Sequence, residues 1–192
     1  MNRDIMIATG NANKVREYRE MLEPLGFVVH DLSEIEHVDV EENGTTFGEN
    51  ALIKAKSVYR ETEMMCIADD SGLEIEALGN EPGIHSARYL AGHDYTYKNT
   101  VLLQRLEGTG NRRARFVCDI ALIDHDGSEH VFEGIMEGSI GHAIRGNNGF
   151  GYDPIFIPEG YDITSAEMSP EQKNSISHRG KATSLLLAHL RK

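Results

Sequence analysis

Cysteine is scarce in this chain of 192 residues, which contains only Cys66 and Cys118. Each of them lies inside an apolar, strand-like run, and neither belongs to a CxxC pair. A disulfide framework is therefore not expected. We expect two buried free thiols in a reducing compartment.

Long apolar runs are also missing. Nowhere do about 18 apolar residues follow one another, the length that a membrane-spanning helix needs. The first ten residues do not combine a basic region with a long apolar stretch, so no secretory signal is expected either. These two absences predict a cytoplasmic protein with no membrane partner.

Positive charge is in short supply, because 19 Lys and Arg stand against 31 Asp and Glu and the formal net charge is −12. Such a negative field repels a phosphate backbone, so we expect no nucleic-acid partner. Any phosphate-bearing substrate must be met by a few placed cations or by a metal ion. The hydrophobic fraction of 40% is otherwise that of an ordinary globular protein.

The motifs of nucleophilic enzymes are absent as well. The chain has no GxSxG sequence and no Cys and His arrangement of the kind that activates a nucleophile. No two histidines have the spacing of a zinc site on a helix.

Strand-like and helix-like segments alternate along the chain without a repeat, a low-complexity tract or a linker. We therefore expect one α/β domain over residues 1–192, with two lobes. Apolar runs predict strands, and spacing or caps predict helices. The predicted strands are 4–8, 27–30, 65–68, 115–123 and 130–140, the last two forming a hairpin, and the helices begin near residues 14, 46, 94, 170 and 179.

The helix predicted to begin near residue 46 illustrates the local signals on which these predictions rest. Thr46 and Glu49 fit a capping box, and the apolar residues that follow keep to one face. Asn50 and Lys54 are expected on the opposite, polar face.

The first motif that could carry chemistry follows the first predicted strand. Its sequence, TGNANK, consists of Thr9, Gly10, Asn11, Ala12, Asn13 and Lys14. Backbone amides and the amino end of a helix would meet there beside a lysine, which suits an anionic group. A plain strand-to-helix turn with an asparagine cap remains the alternative.

The second motif is acidic. Asp69, Asp70, Ser71 and Gly72 follow the apolar run 65–68, and we expect the strand to end there. Adjacent carboxylates point to opposite faces, and oxygen ligands of this type suit Mg²⁺. An acidic turn or a helix cap is the alternative. A second ligand could come from Glu41 or Glu42, although the acidic segment 31–42 could equally be a solvated loop.

The third motif is a glycine-rich loop with two aromatic residues. It consists of Gly149, Phe150, Gly151, Tyr152, Asp153 and Pro154, and Lys173 and the Ser177, His178, Arg179 segment follow it. The aromatics could stack on a nucleobase, and the charged groups could bind the base edge. The alternative is an aromatic packing corner.

Six segments in this order give the chain a family resemblance. They are TGNANK, TFGENALIKA, IADDSGL, PGIHSARY, GFGYDPIF and KNSISHRGKA, and together they span nearly the whole chain. They resemble the inosine triphosphate pyrophosphatase family, also called the non-standard purine NTP pyrophosphatases. The resemblance implies an elongated α/β fold, with a mixed twisted sheet flanked by helices and an active-site cleft between two lobes. It also implies a homodimer.

The same resemblance implies an activity, namely Mg²⁺-dependent hydrolysis of ITP, dITP and XTP to the monophosphate and pyrophosphate. By position, the segment Thr9 to Lys14 would hold the triphosphate, with help from Lys54. Asp70 would activate water and bind the metal together with Glu41, the neighbour Glu42 being the alternative. Ser71 would touch the substrate, and the base and neighbouring phosphates would be held by Phe150, Gly151, Tyr152, Asp153, Lys173, His178 and Arg179.

Two rival functions fit the same residues. One is a pyrophosphatase for modified pyrimidine triphosphates on a similar scaffold, and the other is a nucleotide-binding regulator without turnover. The preferred purine and the choice between ribose and deoxyribose stay open at this stage.

Overall fold

The computed structural model describes residues 3–191, except for the side chain of Asn13. Within that range the chain forms seven strands and five α-helices. The strands are β1 (Asp4–Ile7), β2 (Val28–Asp31), β3 (Met65–Ile75), β4 (Glu81–Pro82), β5 (Arg113–Ile123), β6 (Glu129–Ile140) and β7 (Phe156–Pro158). The helices are α1 (Ala12–Leu22), α2 (Phe47–Thr62), α3 (Tyr95–Arg105), α4 (Pro170–Ile176) and α5 (His178–Leu190).

The strands form one mixed sheet in the order β2-β1-β3-β5-β6-β7, and β4 pairs with β3. Strand β1 is parallel to both β2 and β3, whereas β4 is antiparallel to β3 and β7 is antiparallel to β6. The turn between β5 and β6 is closed by a hydrogen bond of 2.9 Å from the Asp124 amide to the Ser128 carbonyl. The predicted α/β class and the predicted hairpin are both confirmed.

Strand β3 corrects one prediction. The sequence predicts that the strand ends at Ala68, but β3 continues to Ile75, so that the acidic motif lies in the middle of a strand. Beyond the motif Leu73 and Ile75 are fully buried, and the end of β3 pairs with β4. This burial and pairing keep the chain extended, because packing outweighs the weak turn preference of Asp, Ser and Gly.

Helix α2 begins as predicted but differs in two details. Thr46 is its N-cap and accepts a hydrogen bond from the Glu49 amide. The Glu49 carboxylate, however, accepts from the amide and hydroxyl of Thr45, so the predicted capping box is only half formed. Asn50 is fully buried instead of lying on the polar face, because its side chain binds the Gly44 amide.

The chain divides into two compact units, which we call the first unit and the second unit. The first unit runs to Asp70 and adds Asp119–Phe132 and the segment from Leu186 onward, while the second unit consists of Ser71–Cys118 and Glu133–Leu185. Each unit has its own apolar core. The core of the first unit contains Met6, Ala8, Ala51, Ala55, Val58, Cys66, Ala68, Ala121 and Ile123. The core of the second unit contains Leu73, Ile75, Leu102, Leu106, Ala114, Phe116, Met136, Ile140, Tyr152, Ile155 and Phe156.

Both cysteines are buried thiols outside any disulfide, as predicted. Burial raises the pKa of the Cys66 thiol to about 12, so it stays protonated and unreactive at neutral pH. Between residues 3 and 191, no helix has the length and apolar character needed to cross a membrane.

Candidate functional site

The turn between β1 and α1 has the geometry of an asparagine-capped helix start. The Thr9 hydroxyl accepts a hydrogen bond of 3.2 Å from the Asn11 amide, and the Asn11 side chain accepts one of 3.4 Å from the Lys14 amide. Gly10, Asn11 and Ala12 are exposed. The Asn13 side chain lies outside the described part of the structure, so its predicted role stays a prediction. An exposed, capped turn of this kind is compatible with both interpretations drawn from the sequence.

Lys14 and Asp69 form an ion pair in the first unit, with 2.7 Å between Nζ and Oδ2. Only 2% of the Asp69 side chain is exposed. A buried carboxylate needs a charged or hydrogen-bonding partner, and Lys14 supplies one. The pair therefore joins the start of α1 to β3.

Asp70 contacts a different lysine, in agreement with the expectation that the two acids point to opposite faces. Lys54 Nζ lies 3.4 Å from Asp70 Oδ1 and 3.5 Å from Glu42 Oε2. Burial raises the pKa of the Asp70 carboxyl, Lys54 opposes that rise, and the negative charges of Glu42 and Asp69 add to it. Two acids and one lysine thus share one charged cluster in the first unit.

The second carboxylate oxygen of Asp70 suits a metal ion. Asp70 Oδ2 is buried and has no hydrogen-bond partner among the described residues. A buried carboxylate oxygen without a partner costs free energy unless a ligand satisfies it. Hard oxygen donors such as Asp70 and Glu42 are those that Mg²⁺ prefers, so the residues present fit this ion.

Glu41 and Glu42, the two candidates for the second metal ligand, lie in the acidic segment before α2. The structure brings Glu42 to Lys54, whereas Glu41 is exposed. Of the two acids, Glu42 is therefore the one that the structure places beside Lys54, and the choice of Glu41 or Glu42 as the metal ligand stays a prediction.

Two residues after Glu42, the backbone is held tightly against α2. Gly44 donates a hydrogen bond of 2.9 Å to the buried Asn50 side chain. A Cβ at Gly44 would meet Asn50 Oδ1 at 2.7 Å and Glu49 Cβ at 2.8 Å, so only glycine fits there. Asn50 therefore helps to position the acidic segment that carries Glu42.

The glycine-rich loop lies in the second unit and is organised around Asp153. Asp153 is buried, and its carboxylate accepts hydrogen bonds from the Phe150 amide and from Lys173. Gly149 has φ +71°, and a Cβ there would lie 2.2 Å from Asp153 Oδ2. Glycine is therefore required at the start of the loop, and Asp153 holds Lys173 beside it.

The two aromatic residues of this loop have different surroundings. Phe150 is 67% exposed, with Lys173 Nζ 4.9 Å and Arg179 Cζ 5.9 Å from its ring centre. Tyr152 is 4% exposed, and its hydroxyl donates a hydrogen bond to the Ser86 carbonyl. Phe150 is thus open to a flat ligand. The Tyr152 side chain belongs to the core of the second unit, and its predicted contact with the substrate stays a prediction.

The remaining predicted site residues, Ser71, His178 and Arg179, are half-buried. His178 begins α5 and stacks on Phe116, with ring centres 4.9 Å apart and planes at 13°. Arg179 follows it and reaches the Phe150 ring. Ser71 is the residue after Asp70 in β3.

Two supporting asparagines were not predicted from the sequence. Asn50 positions the acidic segment, and the buried Asn99 donates a hydrogen bond of 3.0 Å to the Gly151 carbonyl. Both lie on helices, and the sequence carries no signal that separates such residues from ordinary surface asparagines.

The chain is thus an α/β protein with a mixed sheet, in which the first unit carries a cluster of carboxylates and lysines and the second unit carries a loop with an exposed aromatic ring. Comparison with known proteins places it more closely: the model of the Ham1 family matches residues 5–189, and the chain belongs to that family. The resemblance drawn from the six sequence segments is thereby confirmed.

Several relatives match over nearly their whole length. A dITP/XTP pyrophosphatase of Bacillus licheniformis is 45% identical, with 98% of both chains covered. One of Methylococcus capsulatus is 43% identical, with 100% of this chain and 98% of the relative covered. The solved structure of the Staphylococcus aureus Ham1 protein has a TM-score of 0.92 at 42% identity, with 98% of both chains covered.

Proposed function

We propose that this chain is a pyrophosphatase that hydrolyses non-standard purine nucleoside triphosphates, ITP, dITP and XTP, to the monophosphate and pyrophosphate. The proposal rests chiefly on one observation, the cluster in which Asp70 and Glu42 share Lys54 while Asp70 Oδ2 has no partner. The names of the relatives, dITP/XTP pyrophosphatase, support the same substrate class. The role of such an enzyme is to cleanse the nucleotide pool.

Mg²⁺ is the cofactor of this proposal. Asp70 and Glu42 would hold it, and when bound it supplies neutralisation of the charge on the phosphate oxygens. Lys54 contacts both acids, and it provides a further positive charge for the triphosphate. These placed charges let a chain of net charge −12 bind a highly anionic substrate.

Asp70 has a second role, as the base that accepts a proton from the attacking water. Burial raises the pKa of its carboxyl, which makes it a stronger base than an exposed aspartate. Its position within a strand fixes the carboxylate before the substrate arrives, so that orientation costs little in the reaction. Attack at the α-phosphorus releases pyrophosphate as the leaving group.

Lys14 and the turn that precedes it are proposed to bind the phosphates. Lys14 is held by Asp69, so its ammonium group occupies a fixed place at the start of α1. The exposed amides of the turn, at the amino end of that helix, favour an anion.

The aromatic loop is proposed to bind the base. Phe150 is exposed for stacking, with Arg179 and Lys173 beside its ring. Hypoxanthine and xanthine present an acceptor at C6, where adenine presents a donor. If adenine were bound, a hydrogen-bond donor such as Arg179 would have no acceptor at C6. Sites that read a base through hydrogen bonds discriminate between substrates by factors of about 10⁴ or more in kcat/KM.

The test of this function is pyrophosphate release from dITP by the wild type and by Asp70→Asn. The variant should lose at least about 100-fold in kcat, since a positioned base contributes about that much, while nucleotide binding persists. Turnover near the wild-type rate in Asp70→Asn would remove Asp70 from the reaction. A wild type that binds dITP without releasing pyrophosphate would instead indicate a regulator. A homodimer in the cytoplasm completes the proposal, and its mass in solution tests the dimer.

A further inference from the structure

A second group of potential metal ligands lies in the first unit, apart from the carboxylate cluster. Asp124, His130 and His189 each offer one ligand atom, and the three atoms lie within 4.8 Å of one another. All three side chains are half-buried. They come from the turn after β5, from β6 and from the last turn of α5, so the fold brings together residues that are far apart in sequence.

The candidate ligand atoms are near one another but farther apart than the ligands of a coordinated ion. Asp124 Oδ2 lies 3.9 Å from His189 Nε2, and the rings of His130 and His189 have centres 4.3 Å apart. In a tetrahedral zinc site, ligand atoms at about 2.0–2.1 Å from the metal are roughly 3.3 Å from each other. Small side-chain rotations close that difference of about 0.6 Å for the first pair.

The turn after β5 already orients the Asp124 carboxylate for binding a metal ion. The other carboxylate oxygen, Oδ1, accepts a hydrogen bond of 2.7 Å from the His125 amide, while Oδ2 is the one near His189. A ligand carboxylate that is hydrogen-bonded through its second oxygen is oriented before the metal arrives. The Ser128 hydroxyl, 3.3 Å from His130 Nε2, adds a neutral oxygen beside the cluster.

The charges at this place also favour a cation. His189 lies in the last turn of α5, where the helix dipole is negative. Asp124 adds the negative charge of its carboxylate beside the two imidazoles. Two neutral imidazoles and a carboxylate are a donor set for zinc, whereas the all-oxygen pair Asp70 and Glu42 suits Mg²⁺.

We propose that Asp124, His130 and His189 form a zinc site that fastens the end of α5 to the β5–β6 turn. With three ligands from the protein, water completes the coordination of the ion. The site is independent of the proposed hydrolysis, because none of its residues belongs to the carboxylate cluster or to the aromatic loop.

The experiment is a calorimetric titration of the full, tag-free chain with Zn²⁺ in an excess of Mg²⁺, which occupies hard oxygen sites. The wild type should bind one Zn²⁺ per chain. His130→Ala and His189→Ala should bind at least about tenfold more weakly, the lower range for the loss of a supporting contact at a metal site. His125→Gln, which removes the exposed neighbouring histidine, is the matched control and should bind like the wild type.

Two further readouts keep the test decisive. Asp124→Asn preserves the acceptor for the His125 amide but removes the charge, so it should also bind at least about tenfold more weakly without disturbing the turn. Zn²⁺ should raise the melting temperature of the wild type and of His125→Gln, but not that of His189→Ala. No Zn²⁺ uptake by the wild type, equal binding by the alanine variants, or one ion per two chains would overturn the proposal.

Discussion

Glu41 and Glu42 are neighbours in the chain, yet only Glu42 is brought to Lys54. If Glu42 is a metal ligand, Glu42→Gln should raise the Mg²⁺ concentration for half-maximal rate by at least about tenfold. Glu41→Gln is the matched control, and its Mg²⁺ requirement should stay near that of the wild type. The Mg²⁺ concentration for half-maximal rate is measured for each variant by titrating Mg²⁺ into the pyrophosphate-release assay. The opposite order of effects would move the ligand back to Glu41.

Phe150 offers a second test at a single position. Stacking on one base is worth about 1–3 kcal/mol, so Phe150→Ala should raise KM roughly 5- to 150-fold. The loss should be similar for dITP, XTP and GTP, because an aromatic face reads no hydrogen-bond pattern. Stability should hardly change, since the side chain is 67% exposed.

Phe150→Tyr serves as the control for this substitution, because it keeps the ring and should keep KM close to the wild-type value. Chemical denaturation of all three proteins separates binding from folding. A destabilised Phe150→Ala with an unaltered KM would show that the ring packs in the protein and that the base binds elsewhere.

At the scale of elements, the contact between α2 and the acidic segment controls where Glu42 lies. Asn50→Ala removes the buried acceptor of the Gly44 amide, so the free energy of unfolding should fall by about 1–3 kcal/mol. The Mg²⁺ requirement should rise as well, because the segment carrying Glu42 is released. Urea denaturation and Mg²⁺ titration measure the two effects, and an unchanged Mg²⁺ requirement would limit Asn50 to a purely structural role.

Strand β2 carries a pH-dependent contact that can be measured separately from activity. His30 lies 2.6 Å from Glu34 and 3.2 Å from Asp4, and the hydrogen bond to Glu34 is the main cause that raises its pKa above 6.5. A raised pKa in the folded state means that the contact stabilises fully below the unfolded value and that this contribution is lost as pH rises through the folded value.

The stability difference between the wild type and His30→Gln should therefore shrink as pH rises from about 6 to about 9. Denaturant unfolding at several pH values measures this difference. A difference that grows with pH would contradict the assigned direction.

Elements with local signals were predictable, and those fixed by distant partners were not. Asp94 caps α3 and Ser169 caps α4, and a helix was predicted to begin near each of these residues. The extension of β3 depends on β4 and on the burial of Leu73, which no pattern within the strand indicates. The same holds for the site. Its acids were predicted from their chemistry, but the place of Glu42 beside Lys54 depends on how the chain folds against α2.

At the scale of the whole molecule, the negative net charge is consistent with a few positively charged side chains in specific places. Acids outnumber bases by 31 to 19, and three lysines, Lys14, Lys54 and Lys173, are each held by an aspartate. Such a surface disfavours polynucleotides through its net charge, while the placed cations and Mg²⁺ would admit a single nucleotide. The protein should therefore accept a narrow class of substrate.

The most direct test of that central claim is pyrophosphate release in the presence of Mg²⁺ over a panel of triphosphates. We expect kcat/KM for dITP, ITP and XTP to exceed that for ATP and GTP by at least about 100-fold, because adenine leaves a site donor unpaired and guanine brings an amino donor at C2, where xanthine has a carbonyl acceptor. A preference for modified pyrimidine triphosphates, or equal rates for ATP and dITP, would contradict the account.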